Sequence, residues 1–463
     1  MKKPKLAGLI IALIPLVAFA FIPETEGLSR AGAASLCVLI TVILLLLTEA
    51  LPIPISCVLG MTLLIIFKAV EAPAGAFTGF TNPIVWFVFV SFGISYSISS
   101  TNLSKRMLTM LMKSFGKNVN TIVLAIMLCT GILSSIMSNV AAVMIFIAVA
   151  MNFLEIYDDE ADRRRAGKTL MIALPIASML GGMITPAGSS LNLLCLSWLE
   201  QITGLKVQFV QWMAMGIPLF VVLLPLAWLI VIKINKPVPL PQEKILAFIQ
   251  KNKIEEKFSF KEKYVLIVIL GMFVCWVLGS WIPAFNVTVV AAVGVALMFL
   301  PGVEIMKWDD LNREVSWPAI ILLGSIISVG NVLVGTGAST WFVSQILPTS
   351  LSLPAIVVVF IVAIIIFLLL IIIPVAPALI SVLAVPLVGL AAAAGFSPVL
   401  LIMTMGLTVC NCFLLPFDTV PLITYMKGYF TKPQLAKTAV WVQLLNAGLV
   451  AVWLPVIVSG LGL

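Results

Sequence analysis

Two polar interruptions sit inside long apolar runs of this 463-residue chain. In TGILSSIMSNVAAVMIFIAVA the interruption is Ser138-Asn139, with Ser134 and Ser135 close to the same helical face. In MIALPIASMLGGMITPAGSSLNLL it is Thr185, Pro186, Ala187, Gly188 and Ser189, followed by Ser190 and Asn192. A break inside an apolar helix exposes backbone groups that lipid cannot satisfy, so it must face protein or a solvated cavity. Where a helix restarts, its free N–H groups and partial positive charge make an anion site. Ser138 and Asn139 add neutral donors, and Asn139 is placed to cap the helix that follows. The unwound carbonyls around Thr185 and Ser189, with the Ser and Asn oxygens, are the hard ligands that a cation such as Na⁺ takes in coupled carriers. Isolated serines such as Ser95 are read as bonding their own backbone or a neighbouring helix.

A third interruption, Pro416-Phe417-Asp418-Thr419-Val420-Pro421, holds Asp418, the one carboxylate well inside an apolar run. Acids at membrane depth are costly and mark function. Asp418 either binds a cation or proton, or it caps a helix start near Thr419 or pairs with Lys427. Thr404, Thr408 and Asn411 share one helical face leading to it and are expected to line the same cavity. Glu49, just before a proline turn, reads as interfacial.

The elements that must position these groups follow from composition. The chain is 62% hydrophobic and 10% charged, too little charge to cover a soluble surface. Many runs reach ~18–20 apolar residues, the length of a membrane-spanning helix. The fold expected is an all-α polytopic membrane protein. A β-barrel would alternate apolar and polar residues instead. The net charge of +8 comes from short basic loops beside the spans, a topological signal that argues against nucleic acid. There is no histidine, and the seven cysteines read as small buried hydrophobes.

Counting spans gives 11 transmembrane helices and two re-entrant hairpins. The N-terminus is placed in the cytoplasm by Lys2, Lys3 and Lys5, and the C-terminus outside. The expected organisation is an N-terminal span over 1–32, a first repeat over 33–232 with a cytoplasm-entering hairpin at 121–154, a cytoplasmic linker over 233–263, and a second repeat over 264–463 with an outside-entering hairpin at 353–394. Pro83 in FTNPIVWFVF matches Pro318 in VSWPAIILLG, and each half then runs span, hairpin, broken span, closing span. Inverted repeats with discontinuous helices are the architecture of secondary transporters, here of the cytoplasmic membrane. A channel would need a more continuous polar lining. An enzyme would need a catalytic constellation, and none is visible.

The chain resembles the divalent-anion/sodium symporter family of INDY-like dicarboxylate carriers. The matching stretches are LTEALPIP at 47–54, NPIVWFVFVSF at 82–92, TNLSKR at 101–106, MSNVAAV at 137–143, ITPAGSSLN at 184–192, and MKWDD with VSWPAIILLG at 306–324. The resemblance implies a homodimer in the lipid bilayer, each protomer with a scaffold part and a transport part that moves like an elevator. It also implies Ser-Asn-Thr tips that bind substrate carboxylates and help hold sodium.

Carried onto this chain, the substrate positions are Ser138, Asn139 and Val140 at the first tip, then Thr185, Pro186, Gly188 and Ser189. In the second half they are Ala376 and Pro377 at the second tip, with Thr419 and Pro421. The cation positions are Ser134, Ser138, Asn139, Gly182, Thr185 and Asp418. The second tip, Pro374-Val375-Ala376-Pro377, has lost the polar motif. Asp418 stands where an uncharged residue is usual, and Leu422 replaces a polar partner. These departures favour exchange of C4 or C5 dicarboxylates or citrate. The alternatives are sodium-coupled symport, or a carrier or channel for sulfate or phosphate. No cofactor is expected beyond Na⁺ as coupling ion.

Overall fold

A computed structural model describes residues 3–22, 27–251, 257–346 and 352–463. The described residues form helices and no β-strand. The chain opens with α1 (Lys3–Phe19). Then come α2 (Arg30–Thr48), α3 (Ile53–Ile66), a 3-10 segment at Pro73–Thr81, α4 (Pro83–Ser99), α5 (Leu103–Phe115), α6 (Val119–Ser134), α7 (Asn139–Leu154), α8 (Glu160–Gly182), α9 (Ser190–Thr203) and α10 (Phe209–Asn235). Past α11 (Gln242–Lys251) follow α12 (Phe260–Leu278), α13 (Val287–Met298), α14 (Trp308–Glu314), α15 (Trp317–Gly335), α16 (Ala338–Ile346), α17 (Ala355–Ile372), α18 (Ala376–Ala393), α19 (Pro398–Val409), α20 (Thr419–Tyr425) and α21 (Lys432–Gly460). In both series a helix pair split by a short break (α6–α7, α17–α18) precedes a helix that stops early (α8, α19). A shorter helix (α9, α20) and a long closing helix (α10, α21) complete each series.

Local sequence sets these boundaries. Asn82 accepts from the Ile84 N–H and Pro83 supplies a pre-set first turn for α4. Asn118 and Thr121 cap α6 reciprocally, as Ser259 and Glu262 cap α12. Among the described residues, six helices are long and apolar enough to cross a membrane, or up to seven when the bent pair Pro73–Thr81 and Pro83–Ser99 counts as one span. Other apolar helices, including α6, α7 and α19, are only 10–17 residues long. The polar breaks divide the apolar runs, so hydrophobic run length alone overstates helix length. Glu49 ends α2 in a left-handed conformation with φ 47°.

Residues 70–82 are rich in Gly, Ala and Pro. Their 3-10 segment packs against α15, with the Gly79 N–H donating to Ser328 Oγ at 2.9 Å. This segment joins α1, α2, α3 and α15 around a smaller hydrophobic core. The larger core runs through α4 to α15 and α17 to α21 and encloses the helix breaks.

The linker expected over 233–263 is docked where it is described; residues 252–256 lie outside the described residues. Tyr157 Oη donates to the Val238 carbonyl at 2.7 Å, and Lys244 meets Asp158 at 2.5 Å. Arg106 of α5 grips Glu262 of α12 through Nε and Nη2, both at 3.1 Å, with its guanidinium over the Phe258 ring. Burial pushes the Glu262 carboxyl upward, but the Arg106 hydrogen bonds, the Ser259 N–H and the Arg106 charge outweigh it and hold the group below its ordinary value.

The two series interlock. α9 packs on α18 and α19, and α20 packs on α7 and α8. The short helix after each break therefore rests on the other series.

Candidate functional site

The first tip is built by the end of α6 and the start of α7. Ser134 is fully buried, with its hydroxyl 2.6 Å from Ser178 Oγ. Ser178 spends its one proton on the Asn139 carbonyl at 3.0 Å, so Ser134 is the donor of the pair. Ser138 occupies the cap position of α7, but its side chain makes no capping bond. Its backbone N–H donates to Ser95 Oγ at 3.1 Å. The sequence placed Asn139 as the cap of α7. The structure corrects this: Asn139 is the first helical residue, one position too far along to accept from the helix's free N–H groups. Its side chain is instead turned toward α8, where Oδ1 is buried without a hydrogen-bond partner. It lies over Gly182, where a Cβ would come within 2.8 Å of that oxygen. Val140 packs half-buried against the core beside it.

The first break follows α8. Thr185 Oγ1 donates to the Ser135 carbonyl at 2.5 Å, tying the break to the tip. Pro186 and Gly188 form a buried 3-10 turn, and Ser189 caps α9 by accepting from the Leu191 N–H. Asn192 Nδ2 donates to the Gly182 and Thr185 carbonyls, each at 2.8 Å. The Thr185 carbonyl also accepts from the Gly188 N–H at 3.2 Å, so it is the Gly182 carbonyl that keeps a second lone pair for a ligand. Ser134 and Asn139 are thus joined through Ser178, and Thr185 and Gly182 through Asn192. The Asn139 amide lying over Gly182 brings the two groups together, with Oδ1 as an unused acceptor, while Ser138 is tied to Ser95.

The second half is different. Val375 takes the cap position of α18 with no side-chain cap, and Ala376 and Pro377 open the helix with no hydrogen-bonding side chain. Asp418 caps α20, accepting from the Val420 N–H at 2.9 Å. Thr419 is exposed, while Pro421 is buried and its carbonyl accepts from Thr424. Thr404, Thr408 and Asn411 were expected to share Asp418's cavity. They are fully buried, and Asn411 bonds to Gln443 of α21 through its carbonyl. One bond joins the two breaks: Cys410 Sγ donates to Asn192 Oδ1 at 2.7 Å.

The sequence reading passed over Ser95, Ser178 and Cys410 as contributors to this cluster. Ser178 lies three to four residues before Gly181-Gly182, on the face that turns toward α6, which is a usable signal. Ser95 and Cys410 carry none, because their partners lie on distant segments.

A cavity of about 950 Å³ opens along α9, beginning one residue past Asn192. Leu193, Leu196, Ser197 and Glu200 line it from α9, facing Asn82 and Trp276. Asn82 Nδ2 donates to Ser197 Oγ across this space at 2.9 Å. Lys206 pairs with Glu200 at 2.9 Å on its lining, and the Glu200 hydrogen bond and charge raise the Lys206 pKa.

Asp418→Asn tests the acid apart from the cap. Asn caps helices about as well as Asp, so protein yield should stay unchanged. Uptake should change its sodium or pH dependence, read in reconstituted vesicles. Unchanged profiles would leave Asp418 a capping residue alone.

The chain was also compared with known proteins. The family profile described as "Sodium:sulfate symporter transmembrane region" matches residues 3–459. The chain is 25% identical to "Sodium-dependent dicarboxylate transporter SdcS" of Staphylococcus saprophyticus, over 96% of this chain and 89% of that protein. It is 27% identical to the protein of the same name from Staphylococcus aureus strain USA300, over 96% and 90% of the two. Among solved structures it resembles the YdaH transporter of Alcanivorax borkumensis, with a TM-score of 0.54 and 13% identity over 82% of this chain and 86% of that one. At that identity the likeness is one of fold.

Proposed function

Since the chain belongs to the sodium:sulfate symporter transmembrane family, we propose that it carries small dicarboxylates, C4 or C5 or citrate, across the cytoplasmic membrane with sodium as the coupling ion. The observation that carries this reading is the first tip, where Asn139 Oδ1 is buried without a partner over Gly182. In this reading Asn139 Oδ1, the Ser138 hydroxyl, the Gly182 carbonyl and the Thr185 hydroxyl oxygen hold Na⁺. The start of α7 and the capped start of α9 offer N–H groups to a substrate carboxylate, and Ser189, Gly188 and Pro186 shape the space beside it. Thr419, Pro421, Ala376 and Pro377 close it from the second half. The sodium-dependent dicarboxylate relatives, matched over 96% of this chain, support the coupling.

The recurring helix order supports two inverted repeats, 33–232 and 264–463, with re-entrant hairpins at 121–154 and 353–394. That gives 11 spans, the N-terminus inside and the C-terminus outside. The separate smaller core that joins α1, α2 and α3 to α15 suits a fixed scaffold in a homodimer, against which the part carrying the helix breaks moves as an elevator in the bilayer.

A second reading, exchange of one dicarboxylate for another without sodium, is favoured by the apolar second tip. Uptake of labelled succinate into proteoliposomes separates the two. Sodium coupling requires uptake driven by an inward Na⁺ gradient into vesicles free of internal substrate. Uptake that ignores sodium and needs internal succinate would establish exchange. Competition by excess sulfate would redirect the substrate to inorganic anions.

A further inference from the structure

The second half carries a buried polar seam away from both tips. Asn411, just beyond the end of α19, and the Leu407 carbonyl meet Gln443 and Asn446 of α21, and Thr408 follows Leu407 in the chain. Thr408, Asn411 and Asn446 are 0% exposed and Gln443 is 5% exposed. Asn411 Nδ2 and Asn446 Nδ2 both donate to the Leu407 carbonyl, at 2.9 and 3.4 Å. Gln443 Nε2 donates to the Asn411 carbonyl at 3.0 Å. These bonds engage the amide nitrogens and leave Thr408 Oγ1, Asn411 Oδ1 and Asn446 Oδ1 buried with no hydrogen-bond partner.

Three spare oxygens carried by the end of α19 and the turn of α21 that bonds to it call for a donor or a cation. They lie at the C-terminus of α19, where helix carbonyls carry partial negative charge. α17, with mean hydropathy 3.8, packs against both α19 and α21 and walls the seam with hydrocarbon. The seam contains no carboxylate, which suits a monovalent ion better than a divalent one. It also has no counterpart in the first half, since α10 holds no Asn or Gln between Trp212 and Lys233.

We propose that this seam is a sodium site. Thr408 Oγ1, Asn411 Oδ1 and Asn446 Oδ1 coordinate Na⁺, and Gln443 positions Asn411. The proposal rests on the sodium-coupled reading above and extends it: the second half, apolar at its tip, keeps its cation between α19 and α21 instead. Cys410 adjoins Asn411 and bonds to Asn192, so an ion here would fix the end of α19 against the first break.

The test is thermal unfolding of the purified full-length protein, titrated with NaCl against equal choline chloride. The wild type, Thr408→Val, Asn446→Asp and Asn139→Ala with and without Thr408→Val are compared. Sodium should stabilise the wild type, and Thr408→Val should raise the half-maximal Na⁺ concentration at least about tenfold. Asn446→Asp adds a ligand charge and should lower it. The response remaining in Asn139→Ala should disappear when Thr408→Val is added. An unchanged Na⁺ midpoint in both Thr408→Val and Asn446→Asp would overturn the site and leave the three oxygens to water. If Thr408→Val does not fold, Asn446→Asp carries the decision. Succinate uptake by the same proteins keeps the two claims apart. Sodium-driven uptake with midpoints that these variants do not move sinks the seam alone. A seam-dependent thermal response without sodium-driven uptake sinks the transport reading alone.

Discussion

Asn139→Ala is expected to abolish dicarboxylate uptake while leaving folded protein in the membrane. The side chain contributes little to the fold: its Oδ1 is buried with no partner, and Ser178 bonds the backbone carbonyl of Asn139, not its amide. Alanine is a better helix former than asparagine at the start of α7, and it removes an unsatisfied buried group. What disappears is the side-chain acceptor of the tip that is buried with no partner and so is free to meet a ligand. A hydrogen bond or ion–dipole contact with a charged partner is worth about 1.5–3 kcal/mol, so binding should weaken by roughly tenfold to a hundredfold or more. The readouts are succinate-dependent thermal stabilisation and vesicle uptake. Unaltered affinity would remove the tip from the site. Gly182→Ala approaches the same oxygen from the other side, since its Cβ would lie 2.8 Å from Oδ1 and would displace it.

The contrast between the two halves shows how far residue types alone carry such an assignment. Polar pairs inside apolar runs are rare, so Ser138-Asn139 and Thr185 to Asn192 stood out before any packing was known. The structure ties them together through the Thr185–Ser135 and Asn192–Gly182 bonds. Ser95 reads in sequence as bonding its own backbone or a neighbouring helix, with nothing to say which. It does donate to the Ser91 carbonyl, but it also accepts from the Ser138 N–H, a contact 43 residues away that no periodicity announces. The bond from Cys410 to Asn192 spans 218 residues and is equally invisible in one dimension. Asp418 was legible as an unusual acid. The same residues, Asp-Thr-Val-Pro, fit a cap and an ion site, and only coordinates show its oxygen on the Val420 N–H. Gln443 and Asn446 are visible as a polar pair one turn apart in α21, but which helix they face depends on how α21 packs.

Gly181→Ala should produce the other large effect, and through the backbone. A Cβ at Gly181 would sit 2.1 Å from the Gly131 carbonyl oxygen and 2.5 Å from its Cα. Neither atom is the end of a flexible side chain, so α6 and α8 must separate or bend. Small residues let membrane helices approach this closely, and their loss removes packing that no solvent effect replaces. Overpacking a tight contact costs about 1–3 kcal/mol, and the upper part of that range is expected where backbone meets backbone. Gly271 of α12, which has nothing within 4 Å of its Cβ position, is the matched control and should tolerate alanine. The measurement is the thermal midpoint of the purified protein together with the sodium and succinate responses. Equal stability and uptake in Gly181→Ala would mean that α6 and α8 are not in backbone contact. A loss of both is expected because the same contact sets the registry of Ser134 on Ser178 and of Ser135 on Thr185. The tip is held in place by the fit of two helices, so a methyl group placed between them acts on ligand binding without touching any ligand.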